Sequence, residues 1–469
     1  MPSKHPSISS PISLSLLDNP IHWASLPTIC SRLYYPFVFS GRWSARSRSQ
    51  HWAIIGCEPI ASMSIRSVEN PIQAIREFLP SAVNPAFEER LPFTGGTVGY
   101  FSYELGRLFE PRAATRSIET PFPYAALAVY DTALLIDENG NALIVQSDIT
   151  GDICGMRNRK KSLIEAVRDA APSVSASTDG IISETAARKL DWARVQCNVT
   201  FQEYISKVDA VKEYIAAGDV YQVNLSRRLQ TESGVSSETL FASLQKSNPA
   251  PFSCFLPYPE FSIISGSPEL FLAYNTEKNV IETRPIKGTL PRGENTEADE
   301  HLAQKLLQSE KDRAENVMIV DMLRNDLGRI SEYGSVTVPK LFDIERHPSV
   351  FQMVSTIEAN VRGGVDAADI LQATFPGGSI TGAPKIRAMQ IIEELEPDIR
   401  GPYTGCAGFF DVRGDIMLNI LIRTIVLKDG TASFHAGGGI VADSVPELEF
   451  RETEYKAAGL LKAICDAEK

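Results

Sequence analysis

The sequence predicts an α+β protein with antiparallel sheets and helices grouped apart from them. Segments of strand type outnumber the helices that would connect parallel strands. Hairpin turns also recur between neighbouring strands, as at 137–141, 413–414 and 429–430. A doubly wound parallel sheet would instead place a helix after nearly every strand, so that class is disfavoured.

Length and charge narrow the classes of protein that remain. The chain has 469 residues, enough for two or more domains, and a net charge of −12. That charge argues against nucleic acids and anionic membranes as main partners. No apolar run approaches the roughly 20 residues that span a bilayer, and the N-terminus lacks an apolar signal core. The seven cysteines form no C-x-x-C pair, so we expect a cytoplasmic protein with reduced thiols and no zinc site.

Residues 1–185 are predicted to form an N-terminal α/β lobe, and residues 186–469 a catalytic domain. The elements predicted in the lobe are a strand at 52–59, a helix at 71–78, a glycine-rich strand at 94–101, and strands at 125–136 and 142–146 that the turn at 137–141 joins. The segment 170–190 is rich in Ala, Ser and Thr, and it is the best linker candidate.

A helix opens the second domain at Thr200, where Glu203 completes a capping box, and it ends at Gly218. The elements predicted after it are a strand at 220–231, a helix at 237–246, strands at 261–266 and 280–283, one long helix at 297–327, strands at 335–344 and 350–361, a helix at 382–395, a meander at 405–412, 415–427 and 431–434, and a last helix at 447–464.

The stretch from Arg284 to Gly293 carries a candidate nucleophile, Lys287. Pro285, Gly288 and Pro291 predict that the chain leaves the sheet and holds Lys287 on a rigid turn. A lysine attacks only as the free amine, so its pKa must fall by roughly three units from about 10.4. Burial and the neighbouring cations Arg284 and Arg292 could supply that fall. An exposed loop lysine is the alternative interpretation.

Two acidic pairs form a candidate metal site. Asp312 and Glu315 share one helix face, and Glu449 and Glu452 share another. Oxygen ligands from two helices suit Mg²⁺, which commonly uses one or two carboxylates and keeps several waters. The alternative is a pair of solvated helix faces, in which Glu452 simply pairs with Lys456.

The segment 283–289 resembles the signature of the chorismate-using synthases. Further motifs of that family follow in order at 219–226, 267–269, 311–316, 375–385 and 436–444. The resemblance implies two large antiparallel sheets packed face to face with flanking helices. More narrowly, it points to the branch that aminates chorismate at C4, because anthranilate synthases usually carry Ala at the place of Lys287.

The resemblance also implies roles for particular residues. Glu315 and Glu452 would bind Mg²⁺ directly, while Asp312 and Glu449 would act through waters. Glu269 would be the general acid that protonates the departing C4 hydroxyl, which requires a raised pKa. The implied substrate-binding residues are Thr289, Ser379, Thr381, Tyr403, Arg423, Gly437, Gly439 and Lys456.

Two departures from relatives favour amination over other reactions. Gln222 stands where the isochorismate and salicylate synthases carry a lysine, and Gln cannot act as the base that activates water. Gln352 stands where anthranilate synthases often have His, so efficient loss of pyruvate is disfavoured. The expected product is therefore a C4 amine that keeps its pyruvyl ether.

The implied reaction uses ammonia that another subunit supplies. No G-x-C-x-G segment marks a glutaminase in this chain, so we expect a separate glutamine amidotransferase partner or free ammonia. Anthranilate synthase component I, a relative making an aminated isochorismate, and a chorismate or tryptophan sensor remain as alternatives. Relatives carry a tryptophan pocket in the N-terminal lobe, and Ser40 lies roughly at its place, although a strand end and turn is the favoured interpretation there.

Overall fold

The computed structural model describes residues 12–17, 19–47, 49–67, 69–79, 91–170, 190–347 and 350–469. Within these ranges the strands β1 to β22 are, in order, Ile12–Leu16, Phe37–Gly41, Trp52–Gly56, Ala61–Ile65, Gly96–Phe101, Ala125–Tyr130, Thr132–Asp137, Ala142–Ser147, Gln196–Cys197, Gln222–Glu232, Phe252–Pro257, Ser262–Ser267, Leu270–Asn275, Val280–Arg284, Ile286–Pro291, Thr337–Arg346, Val350–Asn360, Gly382–Ala383, Cys406–Asp411, Ile416–Ile420, Thr424–Lys428 and Thr431–Ile440. The helices α1 to α11 are Leu26–Cys30, Pro71–Phe78, Leu105–Phe109, Ile153–Ala170, Phe201–Ala216, Ser237–Ser247, Thr296–Leu307, Glu310–Gly328, Ala367–Thr374, Lys385–Leu395 and Pro446–Ala467.

These strands build two large antiparallel sheets. The first has the order β1-β8-β7-β3-β2-β11-β12-β21-β22-β10-β18, with β9 beside β10. The second has the order β15-β17-β14-β13-β20-β19-β5-β6-β4, with β16 beside β17. The predicted α+β class is therefore confirmed, and so are the hairpin between β7 and β8 and the capping box of α5.

The two sheets pack face to face across an aromatic core. The Phe39 ring of β2 lies 4.3 Å from the Trp43 ring and 5.9 Å from the Phe409 ring of β19 in the second sheet. On the outer side of the first sheet, α6 packs on β12 and α11 on β22. The helix α8 packs on β17 of the second sheet. Helices from the two sheets thus approach each other at one end of the sandwich, where Lys311 of α8 lies within 3.9 Å of Glu449 of α11.

Two segments that were predicted as single strands each divide between the sheets. The stretch 125–136 becomes β6 in the second sheet and β7 in the first, separated by Asp131, whose carboxylate Arg159 grips at 2.6 and 2.8 Å. The stretch 415–427 becomes β20 and β21 in the same way, with Arg423 at a positive φ of 52° just before β21. The prediction of one strand was wrong in both places, because an apolar pattern does not reveal where a strand changes sheet.

The single long helix predicted at 297–327 is also wrong. It divides into α7 and α8, because Ser309 ends the run by accepting a hydrogen bond from the Asp312 N–H at 3.3 Å. A serine that bonds its own downstream backbone favours a helix start over a helix interior. The new start places Asp312 in the first turn of α8, and Glu315 follows one turn later.

The last predicted strand is longer than expected, and the domain division stays a prediction. The strand β22 continues to Ile440 instead of ending at Phe434, because its glycines pair with β10. The predicted linker and the boundary at 185/186 lie outside the described residues, apart from the linker's two ends. Strands from either side of that boundary pair in both sheets, as β2 does with β11 and β5 with β19. Among the described helices, none is long and apolar enough to cross a membrane.

Candidate active site

Lys287 sits on a β-bulge rather than on a turn outside the sheet. Both β14 and β15 pair with β17, and the register shifts between Ile286 and Thr289. Gly288 takes a φ of +81° in this bulge, a conformation that costs other residues energy. The predicted departure from the sheet was therefore wrong, because Pro285 interrupts the ladder only locally. The bulge turns the Lys287 side chain toward the end of β22.

The amine of Lys287 lies in a partly buried, mixed-charge environment. A Cβ added to Gly439 would lie 3.4 Å from Lys287 Nζ, so the amine is directly against the backbone of β22. Burial is the main cause that lowers the pKa of Lys287, while the carboxylate of Glu315 opposes it and the Lys456 cation adds to it. The lowered pKa agrees with the requirement for a nucleophile.

The predicted contribution of two arginines to that pKa was wrong. The guanidinium of Arg284 pairs with Glu345, and that of Arg292 pairs with Asp299 at 2.6 Å. These partners neutralise the two guanidinium charges. Burial and the Lys456 cation, rather than the two arginines, lower the pKa of Lys287. Both acidic partners come from segments beyond the motif, so the motif alone does not reveal the pairing.

Glu269 lies beside Lys287 as a buried carboxyl group. Its residue is 5% exposed, and burial raises its pKa to about 7, against the opposing effects of the Ser379 hydroxyl and the Lys287 cation. The Ser379 Oγ donates a hydrogen bond to Glu269 Oε1 at 2.5 Å, and the backbone N–H of Ile286 also donates to this carboxyl. A carboxyl with a pKa near neutrality can give up a proton to a leaving group at neutral pH.

The four predicted metal ligands gather around the ends of α8 and α11. The Asp312 carboxylate lies 3.0 Å from a Cβ position on Gly288, next to Lys287. On α11, Glu449 Oε2 and Glu452 Oε1 lie 3.3 and 3.6 Å from a Cβ position on Gly438. The structure thus brings together the two acidic pairs that the sequence placed more than 130 residues apart.

Two lysines lie among these carboxylates. Lys311 Nζ is 4.0 Å from Glu315 Oε1 and 3.9 Å from Glu449 Oε1, while Lys456 Nζ is 2.6 Å from Glu452 Oε1. In the described part of the chain, no three His, Cys, Asp or Glu side chains form a group ready to hold a metal. The predicted role of Lys456 places it near the substrate, and sequence reasoning gave Lys311 no role at all.

The pKa values of these carboxyl groups depend on the neighbouring carboxylates as well as on the lysines. Burial raises the pKa of Glu315, and the nearby Asp312 and Glu449 carboxylates raise it further. Burial likewise raises the pKa of Glu449, with Glu452 adding to the effect. Burial acts in the same direction at Glu452, but there the Lys456 ammonium prevails and lowers the pKa. Such mutual repulsion marks a site with more negative charge than its resident cations neutralise.

The glycines at the end of β22 leave room for the active site. A Cβ on Gly439 would lie 1.9 Å from Gln222 Nε2, so a larger residue here would displace that side chain. Gln222 is 1% exposed, and neither of its amide atoms has a hydrogen-bond partner within the described residues. The sequence identified Gln222 as unable to act as a base, but it did not reveal that its amide is unpaired beside Lys287.

Arg423 lies where the chain crosses from the second sheet to the first, and Tyr403 lies in the loop before β19. Both residues approach the acidic cluster from there. Burial lowers the pKa of Arg423, and Tyr403 and Glu452 are near enough to oppose the shift. The Tyr403 ring stacks on His435 at 4.8 Å, and its hydroxyl bonds with Asn224 and Ser226. Within the described residues, the Arg423 guanidinium makes no ion pair, so it is open to an anion.

Three of the predicted site residues either lie away from this group of side chains or use their hydroxyl groups in other hydrogen bonds. The buried Thr381 hydroxyl donates to the carbonyls of Gly377 and Gly378. Thr289 is exposed on β15 opposite Gln352. Ser40 is buried in β2 and accepts a hydrogen bond from the Gln245 side chain at 2.6 Å. A tryptophan pocket at Ser40 therefore remains a prediction.

Comparison with known proteins identifies the family. Residues 41–462 match the family of chorismate binding enzymes. Aminodeoxychorismate synthase component 1 of Escherichia coli K12 is 40% identical over 415 residues, which cover 87% of this chain and 86% of that protein. Anthranilate synthase component 1 of Aquifex aeolicus is 38% identical and covers 86% of this chain and 80% of its own.

A solved structure shares the fold. The anthranilate synthase component I of Streptococcus pneumoniae TIGR4 superimposes with a TM-score of 0.74 at 29% identity, covering 87% of this chain and 92% of that one. The chain therefore belongs to the chorismate binding enzyme family.

Proposed function

We propose that this chain is the chorismate-binding component of an aminodeoxychorismate synthase, which converts chorismate and ammonia to 4-amino-4-deoxychorismate and water. The observation that carries the proposal is the pairing of Lys287, whose pKa is lowered, with Glu269, whose pKa is raised to about 7. Relatives named aminodeoxychorismate synthase component 1 support it at 37–42% identity.

The first half of the reaction joins Lys287 to the substrate. The neutral amine attacks C2 of chorismate, the two conjugated ring double bonds each shift by one bond, and the C4–oxygen bond breaks. Glu269 gives its proton to the departing hydroxyl, which leaves as water. The hydrogen bond from Ser379 holds the Glu269 carboxyl in place for this transfer. The product of this half is a protonated secondary amine that joins C2 to the lysine and keeps both of the lysine's protons.

The second half releases the lysine. Ammonia attacks C4, the two double bonds return to their first positions, and the C2–nitrogen bond breaks with Lys287 leaving as the neutral amine. The proton that ammonia loses restores Glu269. Two successive displacements across the same allylic system place the new amine at C4 with the original configuration, which is the advantage of a covalent lysine over direct attack.

The acidic cluster fits a Mg²⁺ ion. Its donors are carboxylate oxygens from two helices, which is the ligand type that Mg²⁺ prefers, and their mutual repulsion favours an added cation. Glu315 and Glu452 would hold the ion directly, with Asp312 and Glu449 acting through waters. When bound, the ion supplies positive charge for the ring carboxylate of chorismate and offsets the acidity of the pocket.

The remaining contacts would orient chorismate. Arg423 can grip the enolpyruvyl carboxylate with two parallel hydrogen bonds, and Tyr403 lies beside it. Lys456 stands near the place of the ring carboxylate, where its Nζ also donates to the carbonyl of Gly437 at 2.8 Å. Gly437 and Gly439 let the substrate approach the β22 backbone. Ser379, whose hydroxyl donates to Glu269, would complete the binding set, whereas the Thr381 hydroxyl is already bonded to the Gly377 and Gly378 carbonyls and Thr289 is exposed on β15.

Ammonia would come from a separate glutamine amidotransferase subunit. The proposal follows from the sequence, in which no cysteine lies in a G-x-C-x-G segment. The word "component" in the names of the relatives agrees with a partner chain. Free ammonia in solution would substitute for that partner, because the reaction needs only the neutral amine at C4.

A product assay tests the proposed function against its nearest rival. Purified protein is given chorismate, Mg²⁺ and an ammonium salt at alkaline pH, and the products are separated and weighed by mass spectrometry. The proposal predicts 4-amino-4-deoxychorismate, which keeps its pyruvyl group. Fluorescent anthranilate would identify the second candidate, which the 38% identical anthranilate synthase of Aquifex aeolicus favours. Chorismate that is bound but never consumed would indicate a sensor.

A further inference from the structure

Lys311 occupies the space between the carboxylates of two different helices. Its Nζ lies 4.0 Å from Glu315 Oε1 one turn along α8, and 3.9 Å from Glu449 Oε1 on α11. The two acidic side chains are 15% and 6% exposed, whereas the lysine side chain is 55% exposed. An ammonium group thus enters from solvent and ends between two largely buried negative charges.

We propose that Lys311 is the resident cation of the acidic cluster, which neutralises Glu315 and Glu449 in the metal-free protein and leaves when a divalent cation binds. The inference rests on the proposed function, since it takes the metal site from there. Lys311 is then a positioning residue. Its ammonium group keeps the two carboxylates facing each other and competes with the metal for them.

The burial of the carboxylates explains why a resident cation is needed. Two negative charges that are removed from water and held near each other repel, and an uncompensated buried charge is costly. The helices α8 and α11 would otherwise separate or their carboxylates would take up protons. Lys311 supplies one positive charge to both helices at once, and the cluster stays assembled before the metal arrives.

The geometry also explains why this cation can be displaced. Both of its contacts exceed 3.5 Å, so they are ion pairs without a hydrogen bond, and the exposed stem can swing into water at little cost. Lys456 differs, because its Nζ is fixed at 2.6 Å from Glu452 and 2.8 Å from the Gly437 carbonyl. Of these two lysines, Lys311 is therefore the one that gives way.

A displaceable cation has opposite effects on the two states of the protein. Removing its charge should weaken the metal-free form, because Glu315 and Glu449 then lose the cation that lies between them and offsets their repulsion. It should strengthen metal binding, because the incoming ion no longer competes with an ammonium. A lysine that only braces the two helices would have the reverse effect on affinity, since its loss would loosen the metal ligands.

Binding of Mn²⁺ by the purified full-length chain, followed by the electron paramagnetic resonance signal of the free ion, tests the proposal without any enzyme assay. Two half-exposed ion pairs together contribute about 1 to 2 kcal/mol, so we expect Lys311→Met to bind Mn²⁺ about five- to thirty-fold more tightly than wild type. Lys311→Arg keeps the charge and should stay near wild type. Lys305→Met, on the exposed face of α7 and without an ion pair in the described residues, is the matched control and should not change the affinity.

Thermal unfolding gives the second measurement. In a chelating buffer, Lys311→Met should unfold at a lower temperature than wild type, and added Mn²⁺ should raise its Tm by more. Suppose that wild type binds Mn²⁺ and that Glu452→Gln weakens this binding. If Lys311→Met then binds the ion no more tightly than wild type, this inference is overturned and the proposed function is not. If Glu452→Gln leaves the wild-type affinity unchanged, the metal site of the proposed function falls, and the inference falls with it.

Discussion

At the scale of single residues, burial moves the pKa of two neighbouring groups in opposite directions. It lowers the pKa of Lys287 and raises that of Glu269 to about 7. The amine therefore becomes easier to deprotonate and the carboxyl harder to ionise, which suits a nucleophile and an acid that work at the same pH. Each group is less stable in its charged form than it would be in water, so the site carries a cost in folding stability.

Glu269→Gln should make the protein more stable at alkaline pH. The folded pKa of Glu269 lies above the usual value of 4.5, so its stabilising protonation is complete below 4.5 and is lost as the pH rises through about 7. Above that pH the ionised carboxylate costs up to about 3 kcal/mol, which Gln removes while it still accepts from Ser379. Denaturant unfolding at pH 8 should show the gain.

The same comparison at pH 4.5 supplies the control. There Glu269 is protonated in the folded chain and about half protonated in the unfolded chain, so the cost of a buried carboxylate is absent and the two proteins should differ little in stability. The variant should lose activity at every pH, because Gln has no proton to give. A variant that is no more stable than wild type at pH 8 would contradict the assigned pKa.

The identities of these residues were predictable, but their surroundings were only partly so. The motifs at 267–269 and 283–289 marked Glu269 and Lys287, and the raised pKa of Glu269 was expected from burial. The partners of Arg284 and Arg292 were not, because Glu345 and Asp299 lie outside the motif. A pKa depends on groups that the fold brings from elsewhere in the chain.

At the scale of elements, the bulge in β15 depends on Gly288. Its φ of +81° is costly for an L residue, and a methyl group would meet Leu306 Cδ1 at 2.9 Å and Asp312 Oδ1 at 3.0 Å. We expect Gly288→Ala to lower the stability by about 1 to 3 kcal/mol and to reduce activity, because the bulge aims Lys287. Thermal unfolding and the product assay measure the two effects.

Gly328→Ala is the matched control for that variant. Gly328 ends α8, and a Cβ there would meet nothing within 4 Å, so alanine should be neutral or slightly stabilising. The interpretation of the bulge would be wrong if Gly288→Ala were as stable and as active as Gly328→Ala.

The helices α8 and α11 each carry one proposed direct metal ligand. Glu315→Gln and Glu452→Gln should each abolish activity at limiting Mg²⁺ while the fold is kept, because each removes a charged oxygen from a site with few direct ligands. Circular dichroism checks the fold, and a Mg²⁺ titration of the activity checks the affinity. Glu454→Gln, a neighbour on α11 outside the site, should behave as wild type. Normal turnover by either ligand variant would refute the metal assignment.

The types of the elements were more predictable than their boundaries. The acidic spacing placed Asp312 with Glu315 and Glu449 with Glu452 on shared faces, and the structure agrees. The division into α7 and α8 at Ser309 was missed because the apolar pattern continues through it. The change of sheet before Arg423 was missed because both halves have strand patterns, yet this crossing is what brings the arginine to the site.

At the scale of the whole molecule, the active site depends on the contact between two sheets. Lys287 and Glu315 belong to the second sheet and the helix on it, whereas Glu452 and the glycines of β22 belong to the first. The antiparallel class was predictable from hairpins and strand counts. The pairing order, in which N-terminal strands lie beside strands from the end of the chain, was beyond local patterns.

The proposed partner defines a prediction for the complete enzyme. This chain alone should show little activity with glutamine, since no glutaminase segment is present in its sequence. Ammonium salt at alkaline pH, or an added glutamine amidotransferase subunit, should restore turnover. The rate of product formation under the three conditions measures this. Strong glutamine-dependent activity from the purified chain would mean that it hydrolyses glutamine itself.

The most direct test of the account is a search for the covalent adduct on Lys287. The protein is incubated with chorismate and Mg²⁺ without ammonia, and its intact mass is measured. We expect part of the protein to gain the mass of chorismate less one water, and a tryptic peptide that contains Lys287 and ends at Arg292 to carry it, because a modified lysine resists trypsin. Lys278→Ala, at the nearby hairpin tip, should keep the adduct.

Lys287→Ala should lose the adduct, and formation of the C4 amine should fall by several orders of magnitude. Residual activity should yield the C2-aminated isomer, because ammonia can still attack C2 directly. A Lys287→Ala protein that forms 4-amino-4-deoxychorismate at a near-normal rate would contradict the covalent mechanism and the choice of this reaction within the family.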